Sequence, residues 1–275
     1  MDADRFDYLL RDSLCTGTGY GRFDIEWLLT HLYVDGSAKA PRFYLNEKAL
    51  LAAEDYVFAR YHMYRNVYFH KATRSAEVML RLVFKRYSEL LKKPAEGFKE
   101  FSHLGLPEAP PVLTRAFSGT IKLPDYLLLD DLTAGEFFKA CSKCTDPVLQ
   151  VLGGGLVDRR LFKAIDVTAF AIKNAAHFAD FVAKSKGFIR DQDLNPDYFF
   201  VDDMPSDTPY KPYDPDAEHQ APQIYVETGT GEICELSKVS ETVQNLVRKY
   251  SMTRYYFPAK FRQQIGDIAK STLQN

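Results

Sequence analysis

The chain has 275 residues, of which 46% are hydrophobic and 26% charged, and its formal net charge is −2. Such a length and balance describe a soluble globular protein that can bury a core in one large domain or two smaller ones. A near-neutral charge excludes a global basic field for nucleic acid, and no apolar run reaches the roughly 18 residues that a bilayer span requires.

Met1-Asp2-Ala3-Asp4-Arg5 is charged and carries no apolar signal core, so a cytoplasmic setting is the default expectation. Phe6, Leu9, Leu10 and Leu14 fall near helical spacing, which predicts a helix over Asp2–Ser13 followed by the Gly-rich loop Cys15-Thr16-Gly17-Thr18-Gly19. A second helix is expected over Phe23–Leu32. Asp35-Gly36 separates two short apolar runs, at Tyr33-Val34 and Phe43-Leu45, and predicts a hairpin.

Asn46 reads as an N-cap for a tract that runs to about Lys92 without Gly or Pro. One unbroken helix of that length would span about 70 Å, so two helices with a bend are expected. Pro94, Pro107, Pro110 and Pro111 mark an irregular connection. Thr133-Ala-Gly-Glu136 has the capping-box pattern, Asp146-Pro147 opens another helix that includes or precedes Gly153-Gly154-Gly155, and Val167–Lys184 reads as helical.

From Gly187 the character changes to an Asp-, Pro- and Tyr-rich stretch. A hairpin is expected about Thr228-Gly-Thr-Gly231, then a helix from Ser237 or Ser240 through Tyr250, and a last strand at Arg254–Phe257. The fold class expected is mainly α with a smaller α+β C-terminal region. The domains expected are 1–186, helical, and 187–275, α+β.

Three stretches have the residue types for anion chemistry. Asp4, Tyr8 and Asp12 stand at i, i+4 and i+8 and share one helix face, flanked by Arg5 and Arg11. Carboxylates bind hard cations or hold water, and a Tyr hydroxyl can donate to a phosphoryl oxygen. Arg60, Tyr64, Tyr68 and Lys71 form a second stripe, with rings for a nucleoside between cations for phosphates. Arg159 and Lys163, read as i, i+4 on a helix, form a third cationic pair. Each pattern equally describes a solvated or half-buried helix face. Cys141-Ser-Lys-Cys144 lacks the further thiolates or imidazoles of a zinc site, and His31, His103, His177 and His219 stand apart.

The stretches D-A-D-R-F-D-Y-L-L-R-D-S, Y-G-R-F-D and A-R-Y-H-M-Y-R-N-V-Y-F-H-K, in that order, resemble the bacterial HD-superfamily phosphohydrolases related to the SAM-and-HD-domain dNTP triphosphohydrolases. The likeness is good over about the first ninety residues. Arg159–Lys163, P-S-D-T-P-Y-K-P-Y and R-Y-Y-F-P agree more loosely. The resemblance implies an HD-type helical core and metal-dependent hydrolysis of a deoxynucleoside triphosphate.

By that resemblance Asp4 matches the last metal ligand of an H…HD…D set that holds a divalent ion such as Mg, Mn, Fe or Zn. Arg5 and Arg60 match phosphate-binding cations. Tyr8 lies beside phosphates and sugar, Asp12 lies near the sugar 3′-hydroxyl, and Tyr68 lines the sugar pocket. Tyr64 stands where eukaryotic members have a His. Arg22, Arg159 and Lys163 resemble the cations of a regulatory nucleotide site at a subunit contact, which implies a homo-oligomer and dNTP or GTP as ligand.

No His-Asp dipeptide occurs in the chain. The metal site is therefore expected to be incomplete here, and the chain is expected to be a C-terminal portion, nearly inactive alone. The missing ligands would come from an upstream half or a separate chain. The competing expectation is a nucleotide-binding regulatory or oligomerisation subunit. Nucleic acid and membrane are not expected partners.

Overall fold

A computed structural model describes residues 3–36, 41–91, 111–212 and 223–273. The Pro-rich connection around Pro94 and Pro107 and the expectations for His103 and His219 lie outside them. Helix α1 is Ala3–Thr16 and α2 is Ile25–Thr30. Strands β1, Leu32–Asp35, and β2, Arg42–Leu45, follow. Next come α3, Leu50–Met63, a π-helical turn at Tyr64–Tyr68, and α4, Lys71–Leu91. Beyond two short helices, Pro111–Phe117 and Leu123–Tyr126, lie α5, Asp131–Cys141, and α6, Pro147–Val157. Strand β3 is Lys163–Asp166, and α7 is Ala175–Arg190. Short strands β4 to β9 then cover Val201–Asp203, Ser206–Asp207, Tyr225–Glu227, Ile233–Glu235, Tyr250–Ser251 and Arg254–Phe257, and α8, Arg262–Leu273, ends the described chain. The fold is mainly α with small sheets, and among the described residues no helix is long and apolar enough to cross a membrane.

Contacts divide the chain into two compact units, and the division does not follow the expected 186/187 boundary. The first unit comprises 1–70 and 205–251, the second 71–204 and 252–275. Each unit is built from two separate stretches of chain, the later one returning to complete it.

In the first unit, Phe6, Leu9, Leu28, Leu45, Tyr56, Val57 and Met63 are buried together with Tyr210, Ile224, Val226, Leu236 and Val243. Covering one such side chain contributes about 1.5–3 kcal/mol, so this set is the main force holding the returning segment to the N-terminal helices. The sheet order is β1-β2-β6-β7, antiparallel except for the parallel pair β2–β6, with Leu45 opposite Val226. The expected hairpin at 228–231 is present, closed by Gly231 N–H donating to Thr228 C=O at 2.8 Å, with Gly231 at φ +80°.

In the second unit, Val78, Met79, Leu82 and Val83 of α4 are buried with Phe137, Leu149, Leu152, Phe181, Phe200, Tyr256 and Ile265. Arg74 closes a two-pronged ion pair on Asp203 at 2.8 and 2.7 Å, with the Asp203 side chain nearly fully covered. The sheet order is β3-β9-β4, all antiparallel.

Several local expectations shift. Asn46 caps a short 3-10 turn ahead of α3 and not α3 itself. The Thr133 capping box is displaced: Asp130 is the N-cap of α5, accepting from Thr133 N–H and Thr133 Oγ at 2.7 Å each. The helix expected over Val167–Lys184 breaks at Asn174, whose side chain caps α7 through His177 N–H. The helix expected through Tyr250 stops at Asn245, because Tyr250 and Ser251 pair with Asp207 and Ser206 instead. Asp146 and Pro147 open α6 as expected, Asp146 accepting from Val148 and Leu149 N–H.

Candidate functional site

The site begins with how α1 is seated. Phe6 and Leu9 are buried, and the Phe6 ring lies 5.0 Å from Tyr56 and 5.7 Å from Phe23, centroid to centroid. That apolar face fixes α1 against α3 and leaves Tyr8 and Asp12 half-buried beside it. The Gly-rich loop folds back on α1: Ser13 Oγ donates to Thr18 C=O at 2.6 Å and accepts from Gly21 N–H at 3.2 Å. Gly21 is required there, since a Cβ would lie 2.3 Å from Leu9 C=O.

The second half comes from the end of α3. There the chain widens into a π turn, with Phe69 N–H donating to Tyr64 C=O five residues back at 2.8 Å. Such insertions recur at functional sites because they re-aim side chains. The Tyr64 and Tyr68 rings meet edge to face at 5.0 Å, and Tyr8 meets Tyr68 edge to face at 6.3 Å. Tyr68 Oη donates to Asp12 Oδ2 at 2.8 Å. The Tyr8 and Tyr64 hydroxyls are hydrogen-bonded, and the Arg60 guanidinium carbon sits 4.5 Å over the Tyr64 ring.

Arg60 also has a partner that local spacing does not reveal. Its Nη2 donates to Asp207 Oδ1 at 2.9 Å, and its Nη1 donates to Thr208 C=O at 3.1 Å and to Pro209 C=O. Both side chains are largely covered, 13% and 12% exposed. Asp207 lies 147 residues from Arg60 in sequence. Its one local signal is the P-S-D-T-P-Y stretch, whose prolines announce irregular backbone.

The electrostatics follow from this packing. Burial raises the Tyr8 hydroxyl to about 12, helped by Tyr64, while the positive charges of Arg60 and Arg5 pull it down. Burial also raises Tyr68, and its bond to the Asp12 carboxylate adds to this, since phenolate beside carboxylate is disfavoured. For Arg60 burial works against the charged form, but Asp207 outweighs it and the guanidinium is held above its ordinary value. At neutral pH Tyr8 and Tyr68 therefore keep their protons beside the fixed cation of Arg60.

The structure thus brings Tyr8, Asp12, Arg60, Tyr64 and Tyr68 together, with Arg5 close enough to act on Tyr8. Asp4 is exposed on the first turn of α1, and among the described residues no three His, Cys, Asp or Glu side chains cluster to hold a metal. Arg22 is exposed in the first unit, whereas Arg159 and Lys163 belong to the second. The shared helix face expected for Arg159 and Lys163 is absent. The helix ends at Val157, Arg159 is left-handed at φ +56°, and Lys163 starts β3 opposite Phe257. Arg160 N–H bonds to Gly155 C=O at 2.8 Å, which closes the helix before any i, i+4 pair can form. On α1 an open, largely apolar groove of about 650 Å³, lined by Ala3, Leu10, Leu14, Ile25 and Leu29, contains none of the clustered polar residues.

Residues 23–104 match the family described as the HD associated region. The chain is 34% identical over 259 residues to the uncharacterized protein YwfO of Bacillus subtilis, covering 94% of this chain and 55% of that protein. It is 30% identical over 156 residues to an uncharacterized Mycoplasma pneumoniae protein, covering 55% of this chain and 36% of that one. The chain therefore spans about half the length, or less, of these curated relatives. Among solved structures, a phosphohydrolase of Bacteroides thetaiotaomicron superposes with a TM-score of 0.69 at 23% identity, covering 93% of this chain and 61% of that one. A hypothetical protein of Aquifex aeolicus superposes with a TM-score of 0.60 at 20% identity, covering 97% and 57%. Residues 23–104 thus carry an HD associated region, and the chain shares its fold with these two structures.

Proposed function

We propose that this chain supplies the nucleotide-facing part of an HD-type phosphohydrolase that acts on (deoxy)nucleoside triphosphates. The observation that carries the reading is the convergence of Tyr8, Asp12, Tyr64 and Tyr68 about the largely covered Arg60. Three phenol rings give a sugar or base flat apolar surface, and their hydroxyl oxygens can accept from it, the Tyr68 proton being already on Asp12. Arg60, with Arg5 also near Tyr8, supplies positive charge for a phosphate chain. Asp12, already an acceptor for Tyr68, has a second oxygen with which to accept from a sugar hydroxyl.

A divalent ion is the cofactor implied by such chemistry, but the described residues do not fit one by themselves. Asp4 offers one carboxylate, and a catalytic ion needs several protein ligands. The remaining ligands would come from outside the described residues, from an additional segment or a separate chain. The protein's work in this reading is to bind, orient and neutralise. In this reading the chain would act in the cytoplasm as a homo-oligomer.

Thermal melting of the purified chain with dNTPs, GTP and inorganic triphosphate, alongside product analysis, tests this. A ligand that binds only the folded state raises the melting temperature. Stabilisation by triphosphate-bearing ligands, but not by nucleosides, with little release of phosphate or triphosphate, is the expected result. Absence of any shift overturns the reading. The unclustered Asp4 favours one rival, a regulatory subunit that binds nucleotide without turnover in any assembly. Turnover restored by adding a chain that carries the H…HD residues would exclude it.

A further inference from the structure

We infer that Asp207 is the positioning residue of this site: it fixes Arg60 through Nη2 so that the Nε–H is left to meet an anionic oxygen. The inference rests on the nucleotide reading for its ligand, but its geometric half stands alone. A guanidinium carries five N–H donors in one plane. At Arg60 the two Nη1 protons go to the Thr208 and Pro209 carbonyls and one Nη2 proton goes to Asp207 Oδ1. Nε is buried and has no hydrogen-bond partner among the described residues.

The usual Arg–Asp fork would use Nε and Nη2 against both carboxylate oxygens. Here Asp207 Oδ2 is buried and likewise without a partner, so the pair is one-pronged. An unmet buried donor costs free energy, and an incoming phosphate oxygen relieves that cost at Nε. The stack on Tyr64 closes one face of the guanidinium. Asp207 has its own fixed place, since Ser206 and Asp207 pair with Ser251 and Tyr250. The returning segment thus aims Arg60 from 147 residues away in sequence.

The test is side-chain ¹⁵N relaxation at Arg60 Nε in the full chain, assigned by the signal lost in Arg60→Lys. Without ligand, the wild-type order parameter is expected near about 0.85, the rigid limit, and Asp207→Ala is expected to fall below about 0.6. Asp207→Asn keeps an acceptor at the same atom and is expected to stay rigid. An Arg60 as rigid in Asp207→Ala as in the wild type overturns the inference, and so does loosening in Asp207→Asn. Should the alanine variant not fold, the asparagine variant alone decides. Inorganic triphosphate is then titrated. Nε–H is expected to move in the wild type and in Asp207→Asn, with binding roughly tenfold weaker in Asp207→Ala as one charge-assisted contact is lost. If the ligand-free results hold but triphosphate leaves Nε–H unmoved, the nucleotide reading and the anion-donor role both fail. The placement of Arg60 by Asp207 would still stand.

Discussion

Tyr68 donates to Asp12 at 2.8 Å, across 56 residues of sequence, and so joins the π turn to α1. Phe6 holds α1 through its apolar face; this bond holds it through its polar one. Removing the hydroxyl with Tyr68→Phe is expected to cost about 1 kcal/mol in urea unfolding. A double-mutant cycle with Asp12→Ala should show the two changes to be non-additive, because they remove the same bond. Strict additivity would mean that the contact carries no energy.

Arg60→Met keeps the stem but removes the cation, leaving the covered Asp207 carboxylate without its counter-charge. Breaking a buried pair from one side costs about 3–5 kcal/mol, somewhat less here because both side chains retain slight exposure. The urea midpoint should fall accordingly. The double variant Arg60→Met with Asp207→Leu should recover part of the loss, since no buried charge then remains unpaired.

The Tyr8 hydroxyl is raised to about 12 from an ordinary 10.0, first by burial and then by Tyr64. The folded state therefore holds this proton more tightly than the unfolded one. The stability it contributes is fully present below pH 10 and declines as pH rises through 12. Ultraviolet titration of the phenolate should show Tyr8 ionising late. Tyr64→Phe should bring it only part of the way back, because burial, the larger cause, remains.

Gly153 in α6 faces α5 so closely that a Cβ would lie 2.7 Å from Cys141 Cβ and 2.9 Å from Phe138 C=O. Gly153→Ala is expected to destabilise the second unit by about 1–3 kcal/mol through overpacking. Gly135, inside α5, faces open space, and Gly135→Ala should gain up to about 1 kcal/mol from helix propensity. Thermal melting of the two variants should move in opposite directions.

Cys141 and Cys144 are buried, and burial, with the neighbouring Cys144 and Asp146, raises the Cys141 thiol to about 12. Little thiolate exists at neutral pH, so neither group should react with a disulfide reagent until the protein unfolds. Cys15 is exposed and should react at once. Fast labelling of Cys141 in the native chain would contradict its packing.

The sequence by itself determined what depends on near neighbours. Apolar spacing set α1, α3 and α4, Asp146-Pro147 started α6, and the Gly231 turn closed its hairpin, since backbone geometry and caps act within a few residues. It also put Tyr8 and Asp12 on one face of α1, and Arg60, Tyr64 and Tyr68 on one stripe. It misread Arg159 and Lys163, because a helix period continues on paper past the point where Arg160 closes the helix. It did not register α8, whose core residues Ile265, Ala269 and Leu273 are set in a mostly polar run.

Only the tertiary structure decided that the α1 face and the Arg60 stripe meet, and that Asp207 returns to take the guanidinium. Those choices depend on which distant segments bury apolar surface together. In the first unit Tyr210, Ile224 and Val226 come back to a core begun by Phe6 and Leu9, and the charged partner travels with them. No local period records that journey, because hydrophobic burial is non-directional and is settled by the whole chain at once.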